Sequence, residues 1–278
     1  MRRLFVLVCI IVPILSFSQV NSIGTYSGDE TVFYAQTKQV NQFFRRFNGE
    51  ESIQGERSYD KDKDFRDPKM RKKFLNILFD NANPSITKEM KGDFITGVLN
   101  KKSPVFLDFH GHDWFAEVSA IFTYKKEKVN LIVYLKLVKE KLGYKWVFSN
   151  VYFNQFDKWF THAGDSTSST LFIHPLSHEI DFMNIDKVFR EEENIDYYLE
   201  GNYIPDQLSL FVEEVKSGNL KFESVNNVKF HFFQVPNWYF ELVYFNRNDR
   251  NSGWLISNLL PVNEKEKNEL IRNYIHEN

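Results

Sequence analysis

The sequence predicts an α+β fold, organised as two tandem units of helices packed on a curved antiparallel sheet. Three observations lead there. Apolar residues recur at helical spacing up to residue 100, and the period changes to two after Pro104. The same order, helices and then strands, returns in the second half. A basic, apolar, small-residue leader opens the chain.

The leader sets the address. Arg2 and Arg3 precede an apolar run from Leu4 to Leu15 that only Cys9 and Pro13 interrupt. Ser16 and Ser18 supply small residues before a cut between Ser18 and Gln19. The run is about a dozen residues, against the roughly 20 that span a bilayer, so a cleaved signal peptide over residues 1–18 is expected. A lipid-modified cysteine would end such a run, and Cys9 sits in its middle. Cys9 is the one cysteine of the chain, so the processed protein would hold no disulfide, thiol nucleophile or thiolate metal site. No later segment has the length of a transmembrane helix. Net charge is −2 with both signs interspersed, which leaves no electrostatic footprint for nucleic acid. Phenylalanine is abundant, at 28 residues, and predicts a core built on large rings.

Residues 31–47 form the first predicted helix, with Phe33, Val40, Phe43, Phe44 and Phe47 on one stripe. The charged stretch 50–66 is a loop. Pro68 opens a second helix with Met70, Phe74, Leu75, Leu78 and Phe79 on its buried face, and residues 85–100 form a third, capped by Ser85 or Thr87. Residues 105–109, 114–124, 131–139 and 144–153 then alternate as the four strands of a meander. Residues 154–183, rich in turn residues, are a linker and docking segment. The second, smaller unit, 184–278, follows the first, 19–153. Its predicted helices cover 184–193 and a segment opened by Pro205, and strands lie near 220–222, 228–234, 238–246 and 254–260. A charged helix over 264–275 closes the chain. The units can be superposed in sequence: Trp146-Val147-Phe148-Ser149-Asn150-Val151 matches Trp254-Leu255-Ile256-Ser257-Asn258-Leu259.

Helices followed by a curved sheet that ends in Lys145-Trp146-Val147-Phe148-Ser149-Asn150-Val151 resemble the nuclear transport factor 2-like (NTF2-like) superfamily of α+β cones. The likeness rests on element order over 31–153 and extends more faintly to 184–262. The leader's Ser16-Phe17-Ser18-Gln19 also resembles the signal peptides of exported Bacteroidetes proteins. Such cones include isomerases, dehydratases and binding modules, so the resemblance implies a fold and not an activity.

Three clusters carry the candidate site residues. In His110-Gly111-His112-Asp113, a His-x-His pair on extended backbone points both imidazoles to one face, shared by Asp108 and followed by Trp114. A metal would need further ligands that no motif supplies, and the bland alternative is a polar turn. In His174-Pro175-Leu176-Ser177-His178-Glu179, Pro175 prevents a continuous helix from aligning His174 with His178, and a structural docking role competes. Tyr144, Tyr152, Phe156, Trp159 and Phe160 crowd the end of the first unit, either as a ring-lined contact site or as an interface between units. The ligand-binding candidates are therefore Asp108, His110, His112, Trp114, Trp159, His174 and His178. No glycine loop cradles phosphate, and neither cofactor nor metal is expected. The expected function is an exported, non-catalytic binding or accessory module whose partner is a small ligand, a glycan or an envelope protein. The alternative is acid/base chemistry on a small molecule in a cone pocket.

Overall fold

The computed structural model describes residues 39–157 except 53 and 142, residues 206–274 except 249 and 250, and scattered positions between them. It is α+β. Three helices, α1 (Val40–Asn48), α2 (Pro68–Ile77) and α3 (Lys88–Val98), precede β1 (Trp114–Tyr124), β2 (Glu127–Glu140) and β3 (Gly143–Tyr152). A short helix α4 (Asn154–Asp157) follows. Helix α5 (Gln207–Lys216) then leads into β4 (Leu220–Phe232), β5 (Trp238–Phe245) and β6 (Gly253–Pro261), and α6 (Glu264–Tyr274) comes last. Among the described residues, no helix is long and apolar enough to cross a membrane.

The helix ends follow from the local sequence. Asp67 accepts from the backbone N–H groups of Lys69 and Met70 ahead of Pro68, and Thr87 accepts from Met90. Asp206 caps α5 in the same way. Gly49 ends α1 at φ 72°, where an added Cβ would stand 3.3 Å from Arg66 Cα and from Arg71 Cβ, so both conformation and space call for glycine.

All six strands join one antiparallel sheet in the order β3-β2-β1-β4-β5-β6. Its ladders repeat about the centre. Ala116 pairs with Phe230 across the β1–β4 junction, with Trp114 opposite Phe232 and Val118 opposite Val228. Outward, Ala116 pairs with Leu135 and Phe230 with Leu242. The β2–β3 ladder slips between Tyr134 and Leu135, and the β5–β6 ladder slips between Glu241 and Leu242. The extra residue is Ser149 in one and Ser257 in the other, so both bulges fall at matched positions of the repeated Trp-x-x-Ser-Asn segment.

Two predicted boundaries are corrected. Residues 220–234 do not form two strands: β4 runs unbroken from Leu220 to Phe232. Residues 105–109 form no strand, which leaves three strands in the first meander. Side chains satisfy that segment's backbone instead. Asn48 exchanges two 2.8 Å bonds with Leu107, Arg71 donates to the Val105 carbonyl, and Gln234 accepts from Asp108 N and donates to the Asp108 and His112 carbonyls. With these partners no ladder is needed. The helices predicted from Pro68, over 85–100, from Pro205 and over 264–275 begin and end as expected to within a few residues, whereas α1 starts at Val40, after an extended Gln39. The N-terminal part of the 31–47 helix, most of the 184–193 helix and the 164–170 stretch lie outside the described residues.

The first sheet face carries the main core. Phe43, Phe44 and Phe47 of α1, Leu75 of α2 and Phe94 of α3 pack on Trp114, Phe232, Phe240, Leu242 and Ile256. Phe211 of α5 closes a second cluster over Phe122 and Leu131. The other face is covered by α6, through Ile271 and Tyr274 over Phe115, Tyr134 and Tyr239. The outer edge of β6 is occupied: Asp80 N donates to the Ile256 carbonyl at 2.9 Å and Ile256 N donates to that of Leu78 at 2.7 Å. The β5–β6 loop clamps this contact, with Arg247 on Asp80 at 2.7 Å and Asn251 on the Phe79 carbonyl at 2.8 Å.

Candidate functional site: an aromatic row and a buried polar network

On the first face, α1–α3 cover one end of the strands and α5 the other. An apolar row crosses the sheet between them. It runs from Trp146 on β3, paired with Leu137, to Phe230 on β4, paired with Ala116, and on to Trp254 at the far edge, paired with Tyr244. The ring centroid of Phe230 lies 6.2 Å from that of Trp146 and 5.2 Å from that of Trp254, so the two repeat tryptophans flank it from opposite sides. Tyr244 meets Trp254 at 5.5 Å. The outer rings stay open to solvent, with Trp146 38%, Tyr244 47% and Phe148 55% exposed. Large apolar side chains clustered in the open mark contact surfaces more often than scattered ones do.

The bulges explain the motif. Trp146 and Asn150 are four residues apart and would share a face in a regular strand. The extra residue Ser149 reverses the parity, so Trp146 points into the first face and Asn150 to the second. Ser257 does the same for Trp254 and Asn258. A single repeated segment thereby furnishes a ring to the first face and an amide to the second, where Asn258 reaches Glu241 and Asn150 the Tyr274 carbonyl.

That network lies on the second face around the sheet centre. His231 Nε2 is 3.0 Å from Glu117 Oε2, and its Nδ1 is 2.8 Å from the Tyr239 hydroxyl. Tyr239 donates to Glu241 Oε1 at 2.8 Å, and Asn258 donates to the same oxygen at 3.2 Å. Lys229 stands 3.5 Å from Glu117 and 3.9 Å from Glu241. The imidazole is stacked between Phe115, at 4.7 Å, and Tyr274, at 4.9 Å. Burial pushes the Glu117 carboxyl up, but the hydrogen bond and charge of His231, and then Lys229, more than offset it and hold it below the usual range. Burial, then the Glu241 charge and hydrogen bond, push the Tyr239 phenol up, which keeps it a donor. His231 and Tyr239 are 1% and 2% exposed. Both side chains are therefore closed off from solvent.

Of the described sequence candidates, Trp114 adjoins the row, its ring 5.3 Å from Trp146 and 5.8 Å from Phe230, and the others are placed elsewhere. Asp108, His110 and His112 sit on the exposed turn leading into β1, where His110 N bonds the Asp108 carboxylate at 2.9 Å. Asp113 adopts φ 65° and takes Lys267 of α6 at 2.6 Å. The His110 ring stacks on Tyr144 at 4.3 Å. Trp114 is buried in the main core beside Phe44 and Phe232. Among the described residues, no group of three or more His, Cys, Asp or Glu side chains could hold a metal. Phe156 is buried against Phe153, while Tyr144 and Tyr152 are exposed. Trp159, His174 and His178 lie outside the described residues. Sequence reasoning missed Glu117, His231, Tyr239 and Glu241. Each is an isolated polar residue in an apolar strand, and only their shared strand face signals the cluster. No family model, curated protein or solved structure matches this chain.

Proposed function

We propose that this protein is an exported binding module, non-catalytic, whose aromatic row takes an apolar segment of an envelope protein. The observation that carries the proposal is the pair of tryptophans, Trp146 and Trp254, set on either side of Phe230 with exposed rings around them. The row itself contributes few hydrogen-bonding groups, which suits an apolar protein segment better than a glycan. The enzyme alternative draws less support, because His231 and Tyr239 of the polar network are sealed between sheet and α6. The matched ladders and the two serine bulges support a tandem origin for the halves, joined at β1–β4 into one sheet.

The row is tested with 1-anilinonaphthalene-8-sulfonate as an apolar probe. The chain from Gln19 is expected to bind it saturably, and the Trp146→Ser/Trp254→Ser variant about tenfold more weakly, a loss of roughly 1.4 kcal/mol. Circular dichroism should stay in place, while the unfolding midpoint falls because Trp254 packs against the main core. Equal binding by both proteins would put the probe elsewhere and overturn the reading. Export has its own check: intact mass of the protein recovered from outside the cytoplasm should correspond to a chain beginning at Gln19, and an uncleaved mass would refute processing.

A further inference from the structure

A second cleft, unrelated to the aromatic row, lies between α1, the loop of residues 50–66 and the segment 104–110. Its volume is about 450 Å³, and its lining includes Arg45, Arg57, Arg66, Phe44, Phe106 and His110. The charges around it do not balance. Its lining carries the guanidinium groups of Arg45, Arg57 and Arg66 against the carboxylates of Glu50 and Asp108, with Arg46 and Arg71 behind it. The chain as a whole is slightly acidic, at −2, so this excess is local.

Each guanidinium is accounted for in turn. Arg46 is buried and holds Glu51 Oε1 at 2.7 Å, an oxygen that Gln42 also reaches at 3.1 Å. Arg71 is spent on the carbonyls of Phe47 and Val105. Arg66 directs two nitrogens at a single oxygen of Glu50, at 3.0 and 2.6 Å, an end-on contact that uses half of the carboxylate. Arg45 comes no nearer to an acid than 3.6 Å, at Glu51 Oε2. Both that oxygen and Arg45 Nε are buried without a hydrogen bond to a described residue. Arg57 makes no ion pair with a described residue and lies over the Tyr59 ring at 5.2 Å.

The apolar wall is built from the same parts. The guanidinium carbons of Arg66 and Arg71 are each 4.2 Å from the centroid of the Phe106 ring. Two cations on one ring attract it but repel each other. The Arg71 guanidinium is lowered to about 10, by burial first and by the Arg66 cation second. Arg66 also holds a left-handed backbone, φ 56°, secured by its N–H to the Gly49 carbonyl at 2.8 Å.

We propose that this cleft binds a small organic oxyanion, a carboxylate or phosphate monoester borne on a planar apolar group. Arg57 and Arg66 take the oxyanion, and the apolar group rests against the rims of Phe106 and Phe109, which line the cleft. Planar guanidinium forks match both headgroups, and a ligand of this class supplies the charge that the cleft lacks.

The test uses the chain from Gln19 at low ionic strength and pH 7, titrated with benzoate, phenyl phosphate and inorganic phosphate by calorimetry, with amide chemical shifts locating the site. Benzoate or phenyl phosphate should bind saturably and shift residues 44–50, 57 and 106–110. Whichever binds more tightly identifies the headgroup. Arg57→Gln, an exposed position, should weaken binding about tenfold, and Arg66→Gln should do the same if its fold is retained. The Trp146→Ser/Trp254→Ser variant should bind unchanged, so failure here and failure of the aromatic row are read separately. Three results would overturn the proposal: no saturation by either aromatic anion, unchanged affinity in Arg57→Gln, or inorganic phosphate binding as tightly as phenyl phosphate.

Discussion

Phe240→Ala is expected to lower the free energy of unfolding by about 3–5 kcal/mol, the largest effect of any single truncation in the sheet. Phe240 is fully buried and is the ring on which helices and sheet meet. Its centroid lies 4.7 Å from Phe232 in a parallel stack, 6.3 Å from Phe47 and 5.8 Å edge-on from Phe94. Alanine would remove the ring and leave a cavity walled by rigid neighbours on α1 and α3, which cannot collapse without moving both helices. The comparison is Phe222→Ala on the same face. Phe222 is 60% exposed, and its loss should stay within about 0.5 kcal/mol. Urea unfolding of the two variants decides it. A cost below about 1 kcal/mol for Phe240→Ala would mean that the helical layer is not anchored there.

Glu117→Leu is expected to cost about 3–5 kcal/mol, because it leaves the imidazole of His231 buried without its carboxylate. Replacing both residues, as Glu117→Leu/His231→Phe, should recover part of that loss, since an apolar pair leaves less unsatisfied. The same contact predicts a pH dependence. The Glu117 carboxyl is held below its ordinary value in the folded protein, so its contribution is fully present above about pH 4.3, the unfolded value. It fades as pH falls through the lower folded value, because the unfolded chain then binds more protons. Asp80 acts in the same direction: burial raises its carboxyl, and the hydrogen bonds from Arg247 and from the Ala82 N–H outweigh that. Unfolding midpoints followed from pH 6 down to about pH 3 should therefore fall in the parent, and fall less steeply in Glu117→Gln. Parallel acid limbs would show that the network does not couple to folding.

Comparing the amino-acid sequence with the structure separates two kinds of information. Period, caps and breakers are local, and they located most elements. The stripe of Phe43, Phe44 and Phe47, Pro68 after Asp67, Thr87 before α3, and the alternating strands from Trp114 onward are each legible within a dozen residues. The repeat of Trp146 to Val151 in Trp254 to Leu259 was visible too, because it lies in contiguous residues.

Pairing between distant strands was not legible. Residues 105–109 alternate like a strand, but Asn48, Arg71 and Gln234 are far away in sequence and satisfy their backbone without a ladder. The bulges at Ser149 and Ser257 are properties of two strands in register and not of one. They decide which side of the sheet Asn150 and Asn258 occupy. The site followed the same division. His110 and His112 were conspicuous because they are neighbours in sequence, and they stand on an exposed turn. Glu117, His231, Tyr239 and Glu241 were inconspicuous because three strands supply them, and strand pairing alone brings them together. Sequence by itself determined where the chain turns helical or extended, since those preferences act over a few residues. Tertiary structure alone decided that the halves share one sheet, with rings on one face and a charged network on the other. Register and parity depend on partners that are distant in the chain.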